Sequence, residues 1–171
     1  KEFIDHCKAN AGKITFASSG NGTSLHLSGE LFKRMAKVEM THVPYRGSGP
    51  LMNDLIPGRV DVVFDNAPSI SPHVKANAVR GLAVTTEKRV AIAPDLPTIS
   101  EAGVPGFDVA SWFAFFYQAK VPKEIAAKVH ADTVAALGHA SVRPRLLELG
   151  ADPVGSTPEG LAKHLKSEMD K

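Results

Sequence analysis

Four short apolar runs rich in branched side chains punctuate the first half of the chain, at residues 14–18, 40–45, 60–64 and 79–85. Short length and branched composition predict strands. Between the first two, Leu25, Ser28, Leu31, Phe32 and Met35 recur at helical spacing behind Thr23, a good cap, so residues 23–37 read as a helix. Between the second and third, Pro50 stands where a first-turn proline is tolerated. Leu51, Leu55 and Ile56 supply an apolar stripe there, and Pro57 with Gly58 closes a shorter helix. A third crossover, residues 69–77, opens at Ser69 and ends near Asn77. Strands alternating with helices at this spacing imply parallel pairing through right-handed crossovers, with helices covering the sheet.

Pro94, Pro97, Gly103, Pro105 and Gly106 then mark a loop-rich boundary that holds one helical turn at 98–102. Residues 110–118 follow. Trp112, Phe113, Phe115, Phe116 and Tyr117 leave little room for a polar face, which predicts a strand buried on both sides. Its alternative role is to extend the first sheet. Three helices complete the pattern: 122–137, 142–149 closed by Gly150, and 158–169 capped by Thr157. A doubly buried strand and three amphipathic helices without a sheet of their own imply that part of a second domain lies outside this sequence. Aromatic surface left open in that way favours self-association.

In an open parallel sheet, ligands gather at the carboxyl ends of the strands. The first strand runs into SSGNGTSLHL, where Gly20 and Gly22 turn the backbone at a helix entrance and bare its N–H groups. Such a turn is either an anion cradle or a plain tight turn. Gly22 is followed by Thr23 and Ser24 with no lysine, and Leu25 stands where a dinucleotide fingerprint needs glycine, so both nucleotide motifs fail. Hydroxyls of Ser18, Ser19 and Thr23 beside the amides suit a carboxylate or an uncharged polar group. The second strand ends in Tyr45 and Arg46; Arg46 is placed either to fork onto a carboxylate or to stand as a solvated surface charge. Asp65 closes the third strand beside Asn66, where it holds a ligand amine or ordered water, or caps the next turn.

Composition removes other classes. Lys and Arg total 20 against 18 acids, interspersed along the chain, so the net charge of +2 gives no footprint for nucleic acid. Cys7 is the single cysteine, which excludes an internal disulfide, and the seven histidines show no metal spacing, so no metal or cofactor is expected. His6 and Cys7 are adjacent on a helix and do not face each other, which makes a poor dyad. There is no GxSxG elbow, and no apolar run reaches the roughly 18 residues that span a bilayer. An enzyme is not expected. The opening KEFIDHCKANAGK lacks the apolar stretch of a secretion signal and reads as the middle of a helix, as in an excised segment.

Three runs, SSGNGTSLHLSGELF, HVPYRGSGPLMNDLIPGRVDVVFDN and GLAVTTEKRVAIAPDLPTISEAGVPGFDVASWF, occur in this order. With the tail segments VPKEIAAKVHADTVAAL and VRPRLLELGADPVGSTPEGLAKHL, they resemble the substrate-binding proteins of tripartite tricarboxylate transporters, the Bug or TctC family, over almost the whole chain. The resemblance implies an α/β fold of the type II periplasmic-binding-protein kind. Residues 1–105 would be a complete second lobe, and 106–171 the returning C-terminal part of the first. It implies a periplasmic receptor that closes over a small mono- or dicarboxylate and delivers it to membrane permease subunits. The ligand-binding roles would fall on Ser18, Ser19, Gly20, Asn21, Gly22, Thr23, His26, Tyr45, Arg46, Gly47 and Asp65. His26 lies inside the helix, where its other role is to buttress the loop. A signal peptide and the first part of lobe 1, usual in the family, would be missing from this chain. Two rivals share some features: the effector-sensing domain of a regulator, and a small α/β enzyme acting on a phosphorylated substrate.

Overall fold

The computed structural model of the chain describes residues 1–170. It divides into two compact units, Lys1–Ser111 and a second that begins at Trp112. In the first unit, α1 (Glu2–Ala9) precedes β1 (Thr15–Ser18), α2 (Ser24–Ala36), β2 (Thr41–Pro44), α3 (Ser48–Leu55), β3 (Val62–Val63) and α4 (Ala67–Lys75). The three strands are parallel in the order β2-β1-β3, with Phe16 opposite both His42 and Val62.

The central strand is dictated by its side chains. Phe16, Ala17 and Ser18 are 0% exposed, because β1 has a neighbour on each edge and packing on each face. Successive residues alternate between faces. Phe16 joins Cys7, Ile14, Phe32, Met40 and Phe107 in one apolar cluster, while Ala17 joins Leu25, Leu51, Met52 and Val60 in another. Val62 and Val63 divide between the same two clusters.

A polar clamp ties β1 to the chain entering β3. Asp61 Oδ2 accepts from both the N–H and the hydroxyl of Thr15 at 2.7 Å, and Asp61 N–H donates back to Thr15 Oγ1 at 3.0 Å. Helix α2 begins where Thr23 Oγ1 accepts from His26 N–H at 3.5 Å. Pro50 sits in the first turn of α3, as its missing N–H requires.

Two strand predictions are corrected. Residues 79–85 form no strand: Val84 makes an isolated parallel bridge to Thr98, its N–H donating to Pro97 O and its carbonyl accepting from Ile99 N–H, each at 2.9 Å. The competing partner is the 98–102 turn. There Thr98 N–H donates to Glu101 Oε2 and Glu101 N–H donates to Thr98 Oγ1, which fixes the segment that Val84 meets. Residues 110–118 form no ladder either. Phe113 and Phe115 are 82% and 80% exposed, and among the described residues no strand lies beside them to take their backbone groups.

The second unit carries α5 (Lys123–Gly138), α6 (Arg143–Glu148) and α7 (Pro158–Met169). Thr157 caps α7 by accepting from Gly160 N–H at 3.1 Å, and Trp112 meets His164 edge-on at 5.2 Å. None of its described residues is buried, so this unit has no closed apolar core.

Gly29 of α2 lies flat against the Phe16 ring, and a Cβ there would strike the ring carbons. Helix propensity alone favours Gly29→Ala by about 1 kcal/mol. The collision reverses that sign, and G29A is expected to lower stability by about 1–3 kcal/mol in urea denaturation. Gly49→Ala in α3 meets open space and is expected to be neutral or stabilising. A stabilised G29A would contradict this packing.

Candidate functional site

The strand order places a switch point beside β1. The chain leaves β1 through α2 to one neighbour and returns through α3 to the other, so the loops after β1 and β3 part at the carboxyl edge, where open parallel sheets hold their ligands. The loop after β1 is residues 19–23, the turn after β2 is 45–47, and Asp65 with Asn66 follows β3. Backbone bonds zip the first two together beyond the ladder: Tyr45 N–H donates to Ser18 O at 2.9 Å and Gly47 N–H to Ser19 O at 3.3 Å.

The glycine-rich loop is more closed than its sequence implies. Gly20 and Gly22 take φ of 139° and 77°, conformations that an L side chain resists. Gly20 N–H donates to Ser18 Oγ at 3.2 Å, and Gly22 N–H donates to His26 Nδ1 at 3.1 Å. Thr23 Oγ1 donates to Gly20 O at 2.7 Å. The two amides expected to be bare are therefore occupied from within, because side chains two and four residues distant reach them first. Ser18 is fully buried, with its hydroxyl 2.7 Å from His42 Nε2. It supports the loop and offers nothing outward. Ser19 is half-buried, while Asn21 and Gly22 are exposed.

The turn after β2 divides its residues. Tyr45 O–H donates to Asp54 Oδ2 at 2.8 Å, and Arg59 pairs with Asp54 Oδ1 at 2.8 Å. Burial and then this carboxylate push the Tyr45 phenol up, while the Arg59 and Tyr45 hydrogen bonds hold Asp54 below the usual carboxylate range. The phenol is thus committed to α3. Arg46 is exposed and makes no ion pair among the described residues.

Asp65 is the unusual group. Its Oδ1 accepts from Asn66 N–H at 2.8 Å and from Ser48 Oγ at 3.5 Å, while Oδ2 is buried without a partner. Burial pushes the carboxyl up; the Asn66 N–H, Ser48 and His73 pull it down less strongly, and Ser69 would add to that pull only with its hydroxyl turned toward the carboxyl. The single proton of Ser69 Oγ goes to Asn66 O at 2.9 Å, which leaves Oδ2 open. A raised folded value favours the protonated carboxyl, so this group's contribution to stability is full below the ordinary carboxylate range. It is lost as pH rises through the folded value. An acceptor left unpaired in a partly dry site is a standing demand for a donor.

His42 and Ser48 were not among the candidate site residues of the sequence, and Ser69 was read there only as the start of a helix. For His42 a signal exists: it is a polar ring inside an otherwise apolar strand, in register with Phe16. Cys7 is buried and its thiol is pushed up, first by burial and then by Asp61, while His6 faces Asn10 instead. Among the described residues, no group of three His, Cys, Asp or Glu side chains could hold a metal ion. No described helix is long and apolar enough to cross a membrane.

Comparisons with known proteins agree on one kinship. The chain is 39% identical over 171 residues to a UPF0065 protein encoded in the tcbD-tcbE intergenic region of Pseudomonas sp. (strain P51), covering 99% of this chain and 51% of that relative. It is 30% identical to protein BugT of Bordetella pertussis, covering 98% and 52%. Among solved structures, an R. palustris protein with adipate shares 40% identity at a TM-score of 0.94, over 99% of this chain and 56% of the other. MatC from Rhodopseudomonas palustris with bound malate shares 31% identity at 0.89, over 99% and 58%. The fold is thus the α/β parallel-sheet fold of these binding proteins, and the chain spans about half the length of the relatives it matches. The description of the tripartite tricarboxylate transporter family receptor, TctC, matches residues 1–171, and the chain belongs to that family.

Proposed function

We propose that the protein is a periplasmic receptor that captures a small organic carboxylate and hands it unchanged to the permease subunits of a tripartite tricarboxylate-type transporter. The observation that supports this best is the similarity, over 99% of the chain, to two R. palustris proteins solved with the dicarboxylates adipate and malate. The ligand sits at the switch point between β1 and β3. Ser19 and Asn21 supply polar groups, Arg46 supplies the cation, Gly47 turns the backbone at φ 104° so that Arg46 faces the same edge, and Asp65 Oδ2 takes a donor from the ligand or from an ordered water. Ser18, Gly20, Gly22, Thr23 and His26 shape the loop that presents them, and Tyr45 braces its turn. An uncompensated arginine beside a glycine-containing turn is matched to a carboxylate by geometry as well as charge.

In this reading residues 1–105 form the second lobe, and 106–171 return to the first. The exposed Phe113, Phe115, Phe116 and Tyr117 then pack against lobe 1 residues outside this chain. Closure between lobes supplies the other half of the grip, so the chain by itself binds more weakly than the complete receptor.

Two outcomes are expected. In the complete receptor, titration calorimetry across small mono- and dicarboxylates, with adipate and malate included, finds at least one that binds and is recovered unaltered. Arg46→Ala weakens that binding about 10–100-fold, the range for a lost charge-assisted hydrogen bond. Stabilisation by nucleotides and by no organic acid would overturn the proposal. The second outcome concerns the aromatic stretch. The 171-residue chain alone self-associates and binds an apolar dye, and the complete receptor does neither. A clean 18.2 kDa species without dye binding would contradict the lobe assignment.

A further inference from the structure

Two histidines from different elements meet beneath the glycine-rich loop. The rings of His26, in α2, and His42, in β2, stack at 4.2 Å with 25° between their planes, and Phe16 lies against His42 at 4.8 Å. Each imidazole holds one end of the loop. His42 Nε2 is 2.7 Å from Ser18 Oγ, which in turn accepts from Gly20 N–H and lies 3.1 Å from Gly20 O. A hydroxyl has one proton and two acceptor sites, and all three are used when His42 carries its proton on Nε2 and Ser18 donates to Gly20 O. His26 Nδ1 accepts from Gly22 N–H, which requires that this nitrogen carry no proton.

We propose that His26 and His42 are a pH-sensitive pair of positioning residues: stacked neutral imidazoles that fix the glycine-rich loop through Gly22 and Ser18, and release Gly22 when His26 is protonated. A proton on Nδ1 faces the Gly22 N–H donor head-on and breaks that bond. The charged side chains acting on His42 are Glu30 and Lys33, both from α2, and they pair with each other at 2.8 Å. Lys33 also stands 5.5 Å over Phe16, so it adds positive charge beside the rings. Burial, then the facing His26, holds the His42 ring below the ordinary imidazole range, with Lys33 acting the same way and Glu30 opposing. The uncharged ring is accordingly favoured at His42. With a lowered folded value, its contribution is present above the ordinary imidazole range and is lost as pH falls through the folded value. The event that loosens the loop is thus the arrival of a proton at His26 Nδ1, and its departure restores the bond to Gly22.

The consequence for uptake, tighter ligand binding at the higher pH, rests on the function proposed above. The test does not, because it needs no ligand. Amide hydrogen exchange at Gly22 is followed by NMR in the complete receptor without added ligand between about pH 8 and about pH 5, corrected for intrinsic exchange. Protection is expected to fall by about tenfold on acidification, the scale of one lost hydrogen bond. His26→Asn places a carbonyl oxygen where Nδ1 stood and is expected to keep Gly22 protected at both ends of the range. His26→Leu leaves it unprotected throughout. Protection in the unaltered chain that does not change with pH would overturn the proposal, as would an H26N chain that loses protection like H26L. The unaltered chain decides the question by itself if a variant fails to fold.

Discussion

The pairing of β1 on both of its edges governs what the rest of this structure can do. A four-residue strand with parallel neighbours on either side must bury Phe16, Ala17 and Ser18, and its buried backbone groups find their partners in those two ladders. Because all three strands run the same way, their carboxyl ends emerge on one edge. Because the strand order reverses at β1, the loops that follow β1 and β3 part there. The Asp61–Thr15 clamp fixes one side of that arrangement and the Tyr45 and Gly47 backbone bonds fix the other. Polar groups brought by the loops then gather at one edge of the sheet.

Within that frame the loop is organised from beneath. Ser18 is buried at the last position of β1, and its hydroxyl converts a strand end into a loop anchor by bonding both Gly20 and His42. Phe16, two residues back on the same face of β1, carries the ring stack in which His42 and His26 sit. The absence of a side chain at Gly29 lets α2 come down onto that same ring. Apolar packing and the loop's hydrogen bonds are therefore linked through one phenylalanine. A change in its packing reaches the loop without touching a loop residue.

Much of this was legible in the sequence, for reasons particular to each element. The β1 run, the Thr23 cap, the first-turn Pro50 and the Thr157 cap all carry their signal within a few neighbouring residues, and the structure places them as read. Residues 79–85 look equally strand-like, but strand formation needs a partner, and Val84 finds a single one in Thr98. The aromatic stretch at 110–118 reads as buried for the same local reason, and its exposure records the lack of a neighbour among the described residues. The glycine amides were misread most instructively. Composition announces that Gly20 and Gly22 can expose N–H groups; it says nothing of whether Ser18 and His26 adopt the rotamers that fill them. Asp65 was found as a rim residue, yet its unpartnered Oδ2 follows from burial and from where Ser69 sends its proton.

The account stands on the placement of an organic acid at the edge where β1 and β3 separate. The most direct measurement is a crystal structure of the complete receptor grown with the small organic acid that calorimetry selects. The account predicts the acid within hydrogen-bonding distance of the 19–21 and 46–47 backbone or side chains, with a donor from the ligand or a water on Asp65 Oδ2. An acid bound elsewhere, with Arg46 in solvent and Asp65 Oδ2 still unpartnered, would contradict it.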